Sequence, residues 1–305
     1  MSIDIYFHQE GNNYFFRPDV KINTQWIAFD LDWTLAYARK ELYPHDPNDI
    51  FLLPGRKEKL TKCIQEGYTL CVFTNQLAKS LKEKEQKLLR VQNFLLLLGL
   101  PLFVFVATGD DTGRKPETGM FEMAVRYLGK PSEVTFVGDA MGRPQDFSNS
   151  DLIFAQRIGA KALTPEEFFP PVIPEFKCAG QCLILLSGPP GAGKSTFARR
   201  YLSAFQIWEG DQVGKKLSKL VETSLAAGKS VVVDATNPDR SGWYALAQKY
   251  SVEVIVLHFA RNGFMYNQSR NPEKREKKVP KIAYFVYYKK FVPFTQNERV
   301  FELWY

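Results

Sequence analysis

The chain has 305 residues, 45% hydrophobic and 24% charged, a length that suggests two domains and a composition that excludes a disordered chain. The formal net charge of +7 is unevenly placed: residues 1–175 hold 20 Lys+Arg against 23 Asp+Glu, and residues 176–305 hold 20 against 10. A basic half suits a polyanionic substrate, since Lys and Arg at phosphates supply most non-specific nucleic-acid affinity, although a basic surface kept for solubility accounts for the charge equally well. Cys63, Cys71, Cys178 and Cys182 show no disulfide spacing and follow no secretory leader, so the expectation is four buried thiols in an intracellular compartment, the nucleus ahead of the cytoplasm. The apolar run from Phe94 to Ala107 is interrupted by Gly99 and Pro101 and is too short to span a bilayer.

In chain order, Tyr14-Phe15-Phe16 reads as a strand in a short lead-in and Arg17-Pro18-Asp19 as a turn. The buried-strand pattern Trp26–Phe29 then runs into Asp30-Leu31-Asp32. Carboxylates two residues apart at a strand end point the same way, and like charges this close imply Mg²⁺ or a shared proton between them. One can attack phosphorus while the other acts as acid and base. A second strand, Tyr68–Phe73, ends in Thr74-Asn75-Gln76, a hydroxyl and amides suited to a phosphoryl oxygen. A third, Leu102–Ala107, precedes Arg114-Lys115-Pro116, and a fourth, Val134–Val137, stops at Gly138-Asp139. Helical stretches such as Leu77–Leu98 lie between them, which predicts a doubly wound parallel sheet.

This order of motifs resembles the haloacid-dehalogenase-like phosphatases. The segments FDLDWTL, VFTNQ, VATGDDTGRKPETGM, FVGDAMGRPQDF and LTPEEFF are similar to the phosphatase domain of the polynucleotide kinase 3′-phosphatase family. The resemblance implies that Asp30 is the nucleophile on a 3′-phosphate and Asp32 the general acid/base. It further implies that Thr74 binds the phosphoryl group, Lys115 neutralises it, and Asp139 completes a Mg²⁺ site with Asp30 and the Asp32 carbonyl. The family has Gly where this chain has Trp33; the ring is expected to fill core, with stacking on a terminal base the alternative.

Three prolines in Phe169–Pro174 mark a linker, so the expected division is a phosphatase domain at 1–170, a linker at 171–180 and a second domain at 181–305. Gly188-Pro189-Pro190-Gly191-Ala192-Gly193-Lys194-Ser195-Thr196 fits G-x-x-x-x-G-K-[ST] between an apolar strand and a helix start. Gly188, Gly191 and Gly193 let backbone N–H groups wrap phosphate oxygens, Lys194 reaches the β/γ-phosphates of ATP, and Ser195, followed by Thr196, places its hydroxyl on Mg²⁺. Asp211, downstream of that helix, can accept the proton of an attacking hydroxyl, and Asp234, ending the strand Ser230–Val233, suits a Mg²⁺ role. The basic stretch from Asn267 to Lys278 suits an arginine-bearing lid or a solvated charge run. The aromatics from Tyr284 to Phe291 sit at helical spacing and read as core.

GPPGAGKSTF, GKSVVVDATNP and YYKKFVPFT also resemble polynucleotide kinase, here with Gly210 where the family has Arg before the base. The resemblance implies ATP-dependent phosphorylation of a 5′-hydroxyl end, with Asp211 as general base and Arg270 as the lid arginine. The expected whole is α/β throughout: two parallel-sheet αβα domains, an N-terminal haloacid-dehalogenase-like phosphatase and a C-terminal P-loop kinase, without the forkhead-associated domain of animal forms. The expected substrates are strand ends of DNA, or of RNA, with a ligase acting next; a monomer without membrane attachment is expected. The rivals are a small-metabolite kinase fused to a generic phosphatase, and an ATP-gated nucleic-acid adaptor whose phosphatase site Trp33 has silenced.

Overall fold

The computed structural model describes residues 6–40, 46–144, 146–260, 263–268 and 278–304. The chain divides into two units, Met1–Pro170 and Pro171–Tyr305, each with its own sheet.

The first unit carries β1 (His8–Glu10), β2 (Asn13–Phe16), β3 (Gln25–Phe29), β4 (Ala36–Tyr37), β5 (Phe51–Leu52), β6 (Thr69–Asn75), β7 (Phe103–Ala107), β8 (Glu133–Val137) and β9 (Lys161–Leu163). Its sheet has the order β1-β2-β7-β6-β3-β8-β9. The five strands from β7 to β9 are parallel, and the β1–β2 hairpin adds antiparallel to the β7 edge. Strands covered on both faces must be apolar throughout, and Trp26 to Phe29 and Leu70 to Phe73 are all buried. Helices α1 (Arg56–Gln65), α2 (Leu81–Leu98), α3 (Gly119–Leu128), α4 (Ser150–Arg157) and α5 (Pro165–Phe168) follow their strands in βα alternation. α2 starts where Ser80 accepts from the Glu83 N–H (3.2 Å) and stops at Gly99, whose φ of 63° an L side chain resists. Its buried stripe is Arg90, Val91, Phe94, Leu95 and Leu98. Phe73 packs against Phe105 and Phe154, and Phe136 against Phe154, in the core beside the sheet.

The second unit carries β10 (Cys182–Ser187), β11 (Gln206–Glu209), β12 (Val231–Asp234), β13 (Glu253–Phe259) and β14 (Arg299–Leu303), in the order β11-β12-β10-β13-β14, all parallel. α6 (Lys194–Tyr201), α7 (Gly210–Val213), α8 (Leu217–Ala226), α9 (Ser241–Lys249), α10 (Gly263–Gln268) and α11 (Lys281–Lys290) complete it. Tyr284, Tyr287 and Tyr288 of α11 are buried, as is Phe291 after it, so these aromatics are core, while Phe285 of the same helix is exposed. The proline-rich segment belongs to this unit: Val172 exchanges backbone hydrogen bonds with Trp304 (2.7 and 3.3 Å), and Phe176 packs on the core.

One expectation about cysteines fails. Cys178 and Cys182 form a disulfide rather than two buried thiols. Their Cα atoms lie 6.1 Å apart because the chain doubles back between the extended segment and β10, a separation that a disulfide spans. Cys63 and Cys71 are free and buried.

Candidate active sites

Both sites form where parallel strands end, the place where open α/β sheets bind ligands. Asp30 follows β3, and its N–H donates to the Val137 carbonyl (2.9 Å), tying it to the end of β8. Lys115 arrives on the loop after β7. Asn75 at the tip of β6 clamps that loop, accepting from the Lys115 N–H and donating to its carbonyl (both 2.9 Å). The Lys115 ammonium donates to Asp30 Oδ1 (2.6 Å) and to Asp151 Oδ1 (2.7 Å). Asp151, in α4, also accepts from the Ala140 N–H (3.1 Å) through Oδ2. That oxygen would lie 2.3 Å from a Cβ on residue 138, so only glycine fits there.

Asp30, Asp139 and Asp151 are buried with ligand oxygens within 4.8 Å of one another. Three carboxylates thus face one ammonium. Burial pushes the Asp30 carboxyl up to about 7, with Lys115 pulling down and Asp151 pushing up. Burial and the charges of Asp30 and Asp151 hold Asp139 well above the ordinary carboxylate range, and its Oδ2 is buried without a hydrogen-bond partner. Burial would lower the Lys115 ammonium, but Asp151 and Asp30 outweigh it and raise its pKa. An excess of buried oxygen donors with an orphaned oxygen fits a hard divalent cation such as Mg²⁺.

Asp32 sits differently. Its Oδ1 lies 2.7 Å from the Arg90 guanidinium, and Oδ2 accepts from the Gln76 amide (2.8 Å), which also donates to Thr74 Oγ1 (2.9 Å). Desolvation opposes ionisation, but the Arg90 charge and the Gln76 hydrogen bond overcome it and lower the Asp32 pKa.

In the second unit β10 delivers the phosphate loop into α6. Gly191 has φ 78°, and a Cβ there would lie 2.4 Å from the Gly263 carbonyl, so the loop needs glycine for both its turn and its packing. Lys194 is buried and donates to the carbonyls of Gly188 (2.9 Å) and Pro189 (2.7 Å). Asp234 ends β12 beside Leu186 of β10 and Glu209 of β11. Burial raises its pKa, and a hydrogen bond from Ser195 and the Lys194 charge act against that.

Residues 25–169 match the model of the family described as polynucleotide kinase 3 phosphatase. A 20.8 kDa protein of Autographa californica nuclear polyhedrosis virus is 38% identical across 48% of this chain and 85% of its own length. The chain belongs to the polynucleotide kinase 3′-phosphatase family. It is also 29% identical to the Schizosaccharomyces pombe bifunctional polynucleotide phosphatase/kinase, over 92% of this chain and 78% of that protein. The Arabidopsis thaliana polynucleotide 3′-phosphatase ZDP is 33% identical over 47% of this chain and 24% of its own length.

In this family member the structure brings Asp30, Asp32, Thr74, Lys115 and Asp139 to one end of the first sheet, and Lys194, Ser195 and Asp234 to one end of the second. Asp211 is exposed in α7, immediately after β11, and Thr196 is exposed in the first turn of α6. Arg270 lies outside the described residues. A Cβ on Gly210 would lie 3.3 Å from Ala235 Cβ and 3.4 Å from Leu217, so a longer residue there must displace a neighbour.

Trp33 meets the expectation of core filling only in part. It is half-buried at φ 63°, a left-handed conformation that costs a non-glycine residue about 1–2 kcal/mol. Its N–H donates to the Ala36 carbonyl (2.7 Å), and that tight turn forces the backbone, whatever side chain it carries. Sequence reasoning missed Arg90 and gave Asp151 no role. Arg90 had a signal: it stands four and eight residues before Phe94 and Leu98 on an otherwise apolar helix face, where a charge needs a partner.

Proposed function

We propose that this chain heals nucleic-acid ends, hydrolysing 3′-phosphates in the first unit and phosphorylating 5′-hydroxyls with ATP in the second, so that a ligase can join them. The observation that carries it is the buried Asp30–Lys115–Asp151 arrangement with Asp139, held in a chain that also folds a complete phosphate loop.

At the first site Lys115 engages Asp30 Oδ1, leaving Oδ2 to attack phosphorus. The bond to the 3′-oxygen breaks, and Asp32 gives that oxygen a proton. Water then attacks the phosphorus while Asp32 takes a proton from the water, and the bond to Asp30 Oδ2 breaks to free inorganic phosphate and restore the carboxylate. Arg90 keeps Asp32 ionised in the free enzyme; an arriving phosphate dianion adds like charge and restores its ability to carry the proton. Thr74, fixed by Gln76, is placed to hold a phosphoryl oxygen. Asp30, Asp139 and the Asp32 carbonyl would hold Mg²⁺, which supplies positive charge against the phosphate.

At the second site the backbone from Gly188 to Gly193 cradles the phosphates of ATP, and Lys194 exchanges its two carbonyl contacts for phosphate oxygens. Ser195 and Asp234 would hold the accompanying Mg²⁺. Asp211, open to solvent, receives the proton of the attacking 5′-hydroxyl, and the bond from the γ-phosphorus to ADP breaks. Arg270 is assigned the screening of charge on the transferred group.

The test uses DNA and RNA oligonucleotides bearing a 3′-phosphate and a 5′-hydroxyl. Asp30→Asn should abolish phosphate release and spare labelling from ATP, and Lys194→Ala should do the reverse. A purified chain that changes neither end overturns the proposal. Labelling of sugars or nucleosides in preference to oligonucleotides would favour a metabolite kinase.

A further inference from the structure

Trp33 is the bulky residue that the first site holds in a conformation suited to glycine, one position beyond the Asp32 carboxylate. Its side chain is only partly buried. It packs against Tyr37, centroids 6.0 Å apart and tilted by 42°, and keeps part of its surface open to solvent. Tyr37 is itself immobilised: it is buried, sits opposite Phe51 in the β4–β5 ladder, and accepts a hydrogen bond from the Arg39 guanidinium (3.0 Å). That guanidinium lies 3.8 Å over the Phe51 ring. The layer behind Trp33 is therefore rigid, which limits the entropy lost when a planar ligand lands on it.

Trp33 is three residues from Asp30, so their Cα atoms are at most about 11 Å apart. A 3′-phosphate and the base are carried on one sugar ring, so a phosphate in line with Asp30 brings the base of its own nucleotide into that neighbourhood. We propose that Trp33 is a stacking platform for the base of the nucleotide that carries the 3′-phosphate, and that it makes this chain select a base-bearing terminus over an abasic one. The inference rests on the 3′-phosphatase reading and adds a determinant of substrate choice to it. Stacking on an aromatic face tolerates every base, so the discrimination is between base and no base, with little sequence preference.

The experiment compares phosphate release from two oligonucleotides identical except at the 3′ nucleotide, one ending in thymidine 3′-phosphate and the other in a tetrahydrofuran abasic 3′-phosphate. The readout is the ratio of kcat/KM between them, in which any loss of folded enzyme cancels. Wild type should prefer the base-bearing end about 5- to 100-fold, carried mainly in KM. Trp33→Phe should keep most of that preference. Trp33→Gly, which takes the positive φ without strain, should bring the ratio to within about two-fold of unity, since the platform contributes the whole preference. A preference as large in Trp33→Gly as in wild type, or a wild-type ratio near one, overturns the stacking while leaving the phosphatase reading intact. Release of phosphate from neither oligonucleotide by wild type overturns the phosphatase reading, and the stacking falls with it.

Discussion

Replacing Lys115 by Met keeps most of the stem's volume and deletes the ammonium that meets Asp30 at 2.6 Å and Asp151 at 2.7 Å. The partner side chains are only 12% and 2% exposed, so water cannot replace the lost charge. Removing one member of a buried ion pair costs about 3–5 kcal/mol. At about 2–4 °C per kcal/mol for a unit of this size, the melting point of the first unit should fall by about 6–20 °C at pH 8. The cost depends on pH with a definite sign. Burial already lifts the Asp30 carboxyl to about 7, and losing Lys115 lifts it further, so at pH 5 the stranded Asp30 carboxyl holds a proton and the penalty shrinks. Melting followed by circular dichroism at pH 5 and pH 8, without Mg²⁺, measures both numbers. Phosphate release should fall about 10²–10³-fold, by analogy with deletion of other preorganised charge stabilisers. An equal loss of stability at the two pH values, or none at pH 8, would refute the electrostatic account of this cluster.

Arg90→Met removes the charge that holds Asp32 ionised, so the acid limb of the phosphatase pH–rate profile should move upward; an unmoved limb would separate Arg90 from Asp32. In the metal-free chain Asp30 holds a proton that the unfolded chain releases near pH 4, so its contribution to stability is present below about pH 4 and lost as pH rises through about 7, and Asp139, also raised, contributes with the same sign. Asp32 has the opposite sign: its depressed pKa stabilises above the ordinary carboxylate range, and that is lost as pH falls through the depressed value. Added Mg²⁺ should flatten the decline toward pH 7, which denaturant titrations across pH 4–8 will show. In the second unit Asn237 donates to the Leu186 carbonyl (2.8 Å) and accepts from the Trp243 indole N–H (3.0 Å), at φ 41°. Asn237→Ala strands both groups at about 1–3 kcal/mol each, and a urea-measured loss below about 0.5 kcal/mol would discount that network.

The parts of these sites carried by strand tips were legible. Asp30, Thr74, Lys115 and Asp139 each follow an apolar run, and strand ends of a parallel sheet converge without any knowledge of side-chain packing. Residues brought in on helices were not. Arg90 reaches Asp32 from the middle of α2, and Asp151 reaches Lys115 from α4; both depend on how a helix docks, which periodicity does not specify. Trp33 was legible only in part. Average burial of tryptophan says nothing about a backbone turned into the left-handed region, and Trp33 sits in such a turn with its side chain partly exposed. The Cys178–Cys182 pairing depended on a reversal of chain direction that spacing alone does not reveal.

The β1–β2 hairpin lies upstream of the residues that match the family, yet it does more than close the sheet. The Asn12 carbonyl receives both the N–H and the hydroxyl of Thr108 (3.0 and 2.8 Å), and the Asn12 amide holds Asp111 (2.9 Å). These contacts brace the base of the loop that presents Lys115. A chain trimmed to start at residue 25 would bare the β7 edge to strand pairing between molecules and slacken the support of the Lys115 loop in one cut. Engineering a minimal phosphatase from this protein therefore has to begin upstream of His8.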